Sequence, residues 1–240
     1  MFDPPLKPGQ VLDKTSEYAK TWPGRPALFR LSNTVLLQIP PQYQQFWYQG
    51  DKVTRAPADL SKLPSGGQIG FEFFMPNFSG YTPENYQDEF HEDIVRVIHV
   101  KAVGMGAEKP GASGYYPPNI FEWMTSIPRY IEPDQVQERF GLRCYPNPPA
   151  SKERQECFGL SLRGADEHIA LWLMNPLHQS GINYPHMQAV YFSTKYGGIE
   201  VIWRTHIKNF SRWQDIDSQI WKFIDAWNIS EQPNSGNKPK

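Results

Sequence analysis

The chain has 240 residues, of which 20% are charged, and its formal net charge is −1. Such a chain has no overall field that would attract nucleic acid or an anionic membrane surface. Aromatic residues make up 14% of the sequence and there are 23 prolines, which favours a loop-rich β or α+β protein over a helical bundle. No apolar run approaches the length of a membrane span.

The composition along the chain predicts an N-terminal arm, a domain and a C-terminal tail. Residues 1–25 are rich in Pro, Lys and Thr and are predicted to be an N-terminal arm, whereas residues 231–240 form a polar tail. Residues 26–230 then make up an α+β domain. A glycine-rich stretch divides its strand-rich portions, so two organisations remain open: a single mixed unit, and two lobes that meet near residues 104–130.

The first half of the domain contains four β-rich runs. Two of them, residues 27–31 and 34–39, flank a turn-forming Ser-Asn pair and predict a hairpin. Residues 68–75 form a third run. Residues 94–103 carry Val and Ile on both faces, which is typical of a central strand. After the glycine-rich stretch, residues 133–140 predict a short helix because Pro133 stands at its first turn and Gly141 follows its end.

The second half ends in a predicted hairpin followed by a helix. Strands are predicted at residues 158–162 and 168–174, and residues 190–196 and 199–204 flank Gly197-Gly198 as a two-residue turn. Opposite charges across the ladder support that turn. The register that follows pairs Tyr196 with Ile199, Lys195 with Glu200, and Phe192 with Trp203.

The last predicted element is an amphipathic helix. Ser211 and Gln214 have the spacing of a capping box, and apolar residues recur behind them at steps of three and four, in a stripe about 100° wide. A helix of this kind packs on a sheet. The fold class is therefore α+β, with antiparallel sheets, few helices and the C-terminal helix on the final hairpin. The stripe consists of Trp213, Ile216, Ile220, Phe223, Ile224 and Trp227.

The two cysteines bracket a proline-rich segment. Cys144 and Cys157 are the only cysteines of the chain, and a chain that returns on itself would bring them within disulfide distance. The disulfide would add about 3 kcal/mol to the free energy of unfolding in the chain-entropy model. Two free thiols are the alternative. A single pair of cysteines around one loop favours the disulfide and an oxidising compartment. The two thiols lack the further ligands that zinc needs.

No catalytic or cofactor motif is present in the sequence. The six histidines form no HExxH pattern, the Gly-x-Ser-x-Gly elbow is incomplete, and neither a P-loop nor a dinucleotide fingerprint occurs. We therefore predict a protein that is not an enzyme and has no cofactor and no metal. The acidic run at residues 84–93 is interpreted as a solvated face rather than as paired catalytic carboxylates.

Aromatic side chains in the predicted loops are candidates for recognising another protein surface, because Tyr and Trp offer a large area at low entropic cost. The alternative is that they fold back onto the core. The candidates are Phe78, Tyr81, Tyr115, Tyr116, Phe121 and Trp123.

Two stretches of the chain resemble a known family. One is Thr34-Val35-Leu36-Leu37-Gln38-Ile39-Pro40 with Tyr43 and Trp47, and the other runs from Tyr196-Gly197-Gly198 through Trp203-Arg204 and Trp213 to Ala226-Trp227-Asn228. Together, over about a third of the chain, they resemble the periplasmic immunity proteins that protect bacteria against type VI secretion lipase effectors. The resemblance implies a non-catalytic inhibitor that binds one phospholipase.

The resemblance also implies periplasmic localisation after removal of a signal peptide. The sequence begins without a signal peptide, which departs from the pattern; a mature form of the chain would account for it. The expected partner is a cognate toxic lipase, with no nucleic acid and no membrane span. The alternative function is an extracytoplasmic module that binds glycan or lipid through aromatic loops.

Two segments are the predicted contact with the lipase. The segment 104–123 would insert its aromatic side chains into an acyl-chain cleft, and the acidic run would steer the complex toward a basic rim. The predicted partner-binding residues are Tyr115, Tyr116, Phe121, Trp123, Glu84, Asp88 and Glu89.

Overall fold

The computed structural model describes residues 27–32, 35–43, 68–82, 92–102, 134–146, 154–160, 168–174, 184–193 and 195–230. These ranges contain ten strands, the helix α1 Trp213–Trp227 and three short 3-10 helices, Pro41–Tyr43, Lys195–Gly197 and Ile207–Arg212. The strands are β1 Ala27–Ser32, β2 Val35–Ile39, β3 Gln68–Phe74, β4 Ile94–Ala102, β5 Gln137–Arg139, β6 Leu142–Pro146, β7 Arg154–Leu160, β8 His168–Met174, β9 His186–Ser193 and β10 Ile199–His206.

Eight of these strands form one antiparallel sheet. Its order is β3-β4-β10-β9-β8-β7-β6-β5, and β1 pairs with β2 in a separate hairpin, as the sequence predicts. The strand predicted to be central, β4, lies between β3 and β10. It contains one extra residue relative to both neighbours, near Ile98. This bulge keeps Val97 and Val100 on the same face of the sheet, because a regular strand would place them on opposite faces.

We define the inner face of the sheet as the face against α1. Tyr191 of β9 meets Trp221 of α1 there, with ring centroids 5.2 Å apart. The inner face is almost wholly apolar, and burial of each large side chain contributes about 1.5–3 kcal/mol. Its buried residues are Phe71, Phe73, Val95, Val97, Val100, Leu142, Cys144, Cys157, Ile169, Leu171, Leu173, Met187, Ala189, Tyr191, Ile199, Val201 and Trp203.

The helix α1 buries the predicted stripe, and it also buries Asp217 and Trp221. The α+β fold with a C-terminal helix on the sheet is thereby confirmed. The predicted capping box at Ser211 and Gln214 is wrong, because the helix begins at Trp213 without a side-chain cap. The preceding 3-10 helix runs directly into it, and the backbone N–H of Trp213 donates to the carbonyl of Phe210. That continuity takes the place of a cap.

The β1–β2 hairpin packs near the end of α1. Tyr43, just after β2, lies with its ring centroid 4.7 Å from Phe223 and 5.3 Å from Trp227. The residues after α1 then continue alongside β2, since the backbone N–H of Ile229 donates to the carbonyl of Leu36 over 2.9 Å. Hairpin and helix therefore cover the inner face together.

The predicted register of the final hairpin is wrong. Ser193, not Tyr196, pairs with Ile199, so the connection is longer than the Gly197-Gly198 turn. The strand ends early because residues 195–197 form a 3-10 turn in which Tyr196 has a left-handed backbone, with φ 57°. Trp203 consequently pairs with Ala189 on the inner face, and Glu200 pairs with Phe192 on the opposite face.

Lys195 binds the helix instead of Glu200. Its Nζ lies 2.6 Å from Asp225 Oδ1, and the Tyr196 hydroxyl donates to the same carboxylate oxygen over 2.5 Å. The opposite charges of the two strands suggested a cross-strand pair, but the carboxylate that binds Lys195 belongs to α1.

The predicted helix at residues 133–140 is also wrong over the part that the structure describes. The short strand β5 occupies this segment and pairs with β6. Phe140 and Gly141 connect the two strands with φ 50° and 77°, the pair of positive values that a two-residue hairpin turn requires. Gly141, interpreted from the sequence as a helix stop, thus serves a hairpin.

Candidate partner-binding surface

The structure leaves the predicted partner-binding residues untested. Tyr115, Tyr116, Phe121, Trp123, Glu84, Asp88 and Glu89 all lie outside the described residues. The described residues that lie closest to them in the sequence are Ala102 at the end of β4, Asp134 before β5, Thr82 before the acidic run and Glu92 within it.

Two of the aromatic candidates fold onto the protein. Tyr81 is 4% exposed; its ring meets the edge of Phe74, and its hydroxyl donates to Glu72. Phe78 is partly buried, lies 6.0 Å from the ring of Phe73, and is covered by the guanidinium of Arg212 at 5.7 Å. For these two residues the core alternative is the correct one.

The end of the acidic run is held by a cation. Lys208 Nζ lies 3.0 Å from Glu92 Oε2 and 2.8 Å from Asp93 Oδ1. The hydrogen bond from Lys208 lowers the pKa of Glu92, and the bond to Asp93 raises the pKa of Lys208. All three side chains are well exposed, so the pairs contribute little to stability. They lie where the run enters β4.

A buried polar network fixes the backbone at the same point. Asn209 Nδ2 donates to the carbonyl of Glu92 over 3.1 Å and to Thr205 Oγ1 over 2.9 Å, while the Thr205 hydroxyl donates to the carbonyl of Ile94. Asn209 is 6% exposed and Thr205 2%. Buried hydrogen bonds of this kind are costly to break, so the acidic run ends on a firmly held backbone frame.

Two histidines lie next to this frame. His186 and His206 are directly paired across β9 and β10, and the ring of Tyr184 stacks on His206 at 6.0 Å and meets His186 at 5.8 Å. His186 Nδ1 donates to the carbonyl of Tyr184 over 3.1 Å. Burial lowers the pKa of His186, and the positive charges of Arg204 and His206 lower it further.

The predicted disulfide is confirmed. Cys144 and Cys157 are bonded and form a directly opposed pair of β6 and β7. Both residues are fully buried on the inner face, so the bond joins two neighbouring strands within the core.

The outer face, opposite α1, carries an arrangement that sequence reasoning missed. One side chain from each of β3, β4, β10, β9, β8, β7 and β6 stands in line across the sheet, because each is the register partner of the next. Directly paired residues share a face. We call this line the transverse row; its members are Glu72, Arg96, Arg204, Gln188, Trp172, Glu156 and Tyr145.

The transverse row is buried at its ends and partly open at its centre. Glu72 is 3% exposed, Glu156 1% and Tyr145 2%, whereas the four central residues are partly exposed. Arg96 Nε donates to the carboxylate of Glu72. At the next outer-facing position of β4 after Arg96, His99 Nε2 donates to Glu200 Oε1 over 2.7 Å. The sequence spreads these residues over a hundred positions, so only the strand register could reveal the row.

Two further properties of the described residues concern metal binding and membrane insertion. No group of three or more His, Cys, Asp or Glu side chains in the described ranges is arranged to hold a metal ion. Among those same residues, no helix has both the length and the apolar character needed to cross a bilayer.

Comparison with known proteins gives one match. No protein-family model and no curated protein sequence matches the chain. A solved structure does match in fold: Smlt3025, described as an immunity protein of the Stenotrophomonas maltophilia type IV secretion system. It is 11% identical, with a TM-score of 0.50, over 85% of this chain and 93% of the other. At this identity the likeness establishes the shared fold.

Proposed function

We propose that the protein is an immunity protein that binds a toxic bacterial effector and inhibits it by protein–protein contact. The observation that carries the proposal is the fold, which matches that of an immunity protein over most of both chains. The sequence resemblance points to the same class independently, through the β2 strand and the final hairpin and helix. A fold alone does not define a function, so the proposal rests on the agreement of the two.

The finer proposal concerns the effector and the compartment. The sequence resemblance favours a lipase delivered by a type VI system, whereas the structural neighbour belongs to a type IV system. The buried disulfide between Cys144 and Cys157 supports a periplasmic location, since such bonds persist in oxidising compartments. The protein would then meet its effector on the outer side of the inner membrane.

The contact that the sequence predicts remains part of the proposal. Tyr115, Tyr116, Phe121 and Trp123 would anchor the complex in an apolar cleft, and Glu84, Asp88 and Glu89 would accelerate association. The role requires no catalytic group in this chain, because an inhibitor acts by covering a site or by preventing it from opening.

A protection assay tests the proposal. The product of the gene adjacent to that of this protein is directed to the periplasm of a sensitive bacterium, with and without this protein in the same compartment. We expect growth arrest without the protein and growth with it, and the purified pair should form a stable complex. An adjacent product that is toxic and is neither bound nor neutralised would overturn the proposal.

The predicted contact is tested in the same system. Changing Tyr115 and Tyr116 together to alanine should weaken the complex by at least about 2 kcal/mol, the usual hot-spot threshold, and leave the melting temperature unchanged. Reversing the charges of Glu84, Asp88 and Glu89 should slow association, with little effect on dissociation. Unchanged affinity in the tyrosine variant would place the anchor elsewhere.

A further inference from the structure

The turn between β5 and β6 carries a large aromatic side chain into solvent. Phe140 is 53% exposed, and Leu160 at the end of β7 is 50% exposed. Among the described residues, the other exposed large apolar side chain is that of Val136. A Cβ placed on Gly159 would lie 3.6 Å from the carbonyl oxygen of Gly141, so the end of β7 lies beside the turn. We call Phe140 and Leu160 together the apolar tip.

Phe140 occupies a position that disfavours it locally. Its φ of 50° lies in the left-handed region, where this turn prefers Asn, Asp or Gly and a bulky residue is rare. Its carbonyl oxygen accepts a hydrogen bond from Trp213 Nε1 over 2.8 Å, and its ring lies 5.1 Å from that of Phe210. The carbonyl bond requires no particular side chain, and the ring contact still leaves half of the ring in water. An exposed aromatic side chain on strained backbone points to a role in binding.

The turn is held in place before any partner arrives. Arg139 Nη1 donates to Gln155 Oε1 over 2.8 Å, and the guanidinium lies 4.8 Å from the ring centroid of Phe210. Together with the bond from Trp213, these contacts attach the turn to β7 and to the start of α1. A group that is already held loses little conformational entropy when it binds.

Other charged side chains near the turn form pairs of opposite sign. Arg143 Nε lies 3.9 Å from Glu138 Oε1 across β5 and β6, and Arg212 Nε lies 3.0 Å from Asp215 Oδ2 at the start of α1. These exposed pairs add little stability, but they balance each other's charge around the apolar tip. Such surroundings suit an uncharged surface of a partner better than a strongly acidic or basic one.

We infer that the apolar tip is an anchor that enters an uncharged apolar pocket of the effector. The inference rests on the proposed function and assigns a part of the interface to described residues. A protruding turn fits a concave surface, in which an aromatic ring can lose most of its contact with water. Phe140 would fill the pocket, and Leu160 would pack against its rim.

The apolar tip lies at the end of the sheet where the predicted contact segment begins. Strands β4 and β7 both finish at this end, four strand spacings or about 19 Å apart. The segment 104–123 starts just after β4. A standard interface of about 800 Å² per partner is roughly 30 Å across, so one interface can include both. The register row that links the two strands runs through Val100, Val201, Tyr191, Ile169 and Gly159.

The test measures the rates of binding to the inactivated product of the adjacent toxin gene. Phe140→Asn replaces the ring by a residue that the turn favours, and it should weaken binding by at least about 30-fold, mainly through faster dissociation. Leu160→Gln should weaken binding by at least about fivefold. The matched control is Val136→Asn, which removes an exposed apolar side chain at the other end of β5 and should change affinity by less than about threefold.

Thermal melts separate a lost contact from a lost fold. Phe140→Asn loses the contact with Phe210 and relieves the left-handed backbone, two opposing effects, so its melting temperature should change by less than about 4 °C. Should this variant fold poorly, Phe140→Leu and Leu160→Gln test the same anchor with smaller changes. The affinity lost in Phe140→Asn should be the same at low and high salt, because no ion pair is removed.

Each outcome decides one claim. Weaker binding in Phe140→Asn and Leu160→Gln but not in Val136→Asn supports the inference. Tip variants that bind as tightly as the control overturn it and leave the proposed function intact. A loss that appears only at low salt, or only in the association rate, overturns the uncharged pocket. Failure of the unaltered protein to bind the toxic product overturns the proposed function, and the inference with it.

Two other occupants of the apolar tip are checked by sedimentation. The unaltered protein is measured alone, and then with vesicles of phosphatidylethanolamine and phosphatidylglycerol. We expect a monomer that does not sediment with the vesicles. A dimer, or vesicle binding, that Phe140→Asn abolishes would assign the apolar tip to a second copy or to a lipid surface and overturn the inference.

Discussion

The two faces of the eight-stranded sheet are made by the same strands and differ in composition. On the inner face, alternate residues are apolar and are sealed by α1 and the β1–β2 hairpin. On the outer face, the intervening residues include guanidinium, carboxylate, amide and indole groups aligned by register in the transverse row. The outer face also buries apolar residues between these groups, among them Phe158, Val190 and Phe192. The same strands therefore supply an apolar core on one side and a mixed layer with aligned polar groups on the other.

β4 shows how closely the two faces are linked. Its bulge near Ile98 brings Val97 and Val100 to the inner face and leaves Arg96 and His99 on the outer face. Without the extra residue, everything beyond this point would change sides. The position of the His99–Glu200 pair therefore depends on the same backbone irregularity that completes the core.

The first prediction compares one tryptophan from each face. Trp203 is fully buried on the inner face, and Trp203→Ala should lower the free energy of unfolding by about 3–5 kcal/mol through lost transfer energy and a cavity. Trp172 is partly exposed on the outer face, and Trp172→Ala should cost only about 1–2 kcal/mol. Urea unfolding measures both. Equal costs would contradict the distinction between the faces.

The second prediction concerns the disulfide on the inner face. Replacing Cys144 and Cys157 by alanine should lower the free energy of unfolding by about 2–4 kcal/mol, since the unfolded chain gains conformational freedom. Reduced unaltered protein is the control that separates the lost bond from the lost sulfur atoms. A thiol titration of the denatured, unreduced protein should find no free thiol, and two thiols would refute the bond.

The third prediction is the smallest and concerns the edge of the outer face. The pKa of His186 lies below its ordinary value of 6.5 because the ring is buried near Arg204 and His206. The unfolded chain therefore takes up a proton first as the pH falls below about 6.5, so stability declines from there until the folded pKa is reached. His186→Gln should remove this part of the pH dependence. An unchanged slope would show that His186 does not titrate differently in the two states.

Local patterns alone were enough to predict much of the architecture. The buried stripe of α1 follows from apolar residues at steps of three and four, and the β1–β2 hairpin and the strands β3, β4 and β8 follow from β-rich runs bounded by turn residues. The pairing of Cys144 with Cys157 followed from their being the two cysteines of the chain. These features depend on neighbouring residues or on composition, so the sequence expresses them directly.

The errors occurred where a distant group decided the local structure. Gly141 is compatible with a helix end and with a tight hairpin, and pairing with β6 selected the hairpin. Lys195 and Glu200 have suitable charges for a cross-strand pair, but Asp225 of α1 binds the lysine and the turn lengthens accordingly. A local pattern offers both outcomes at similar energy, and the tertiary contact chooses between them.

The sequence by itself determined the fold class, the amphipathic helix, the cysteine pair and the aromatic and acidic segments proposed to meet a partner. The tertiary structure alone decided the strand order, the register and the transverse row, because side chains far apart in the chain become neighbours only when eight strands align. Arg96 and Arg204 illustrate the difference: they are separated by more than a hundred residues and are directly paired in the sheet. A surface built in this way depends on which distant strands pair, and the pattern of a single strand does not encode that choice.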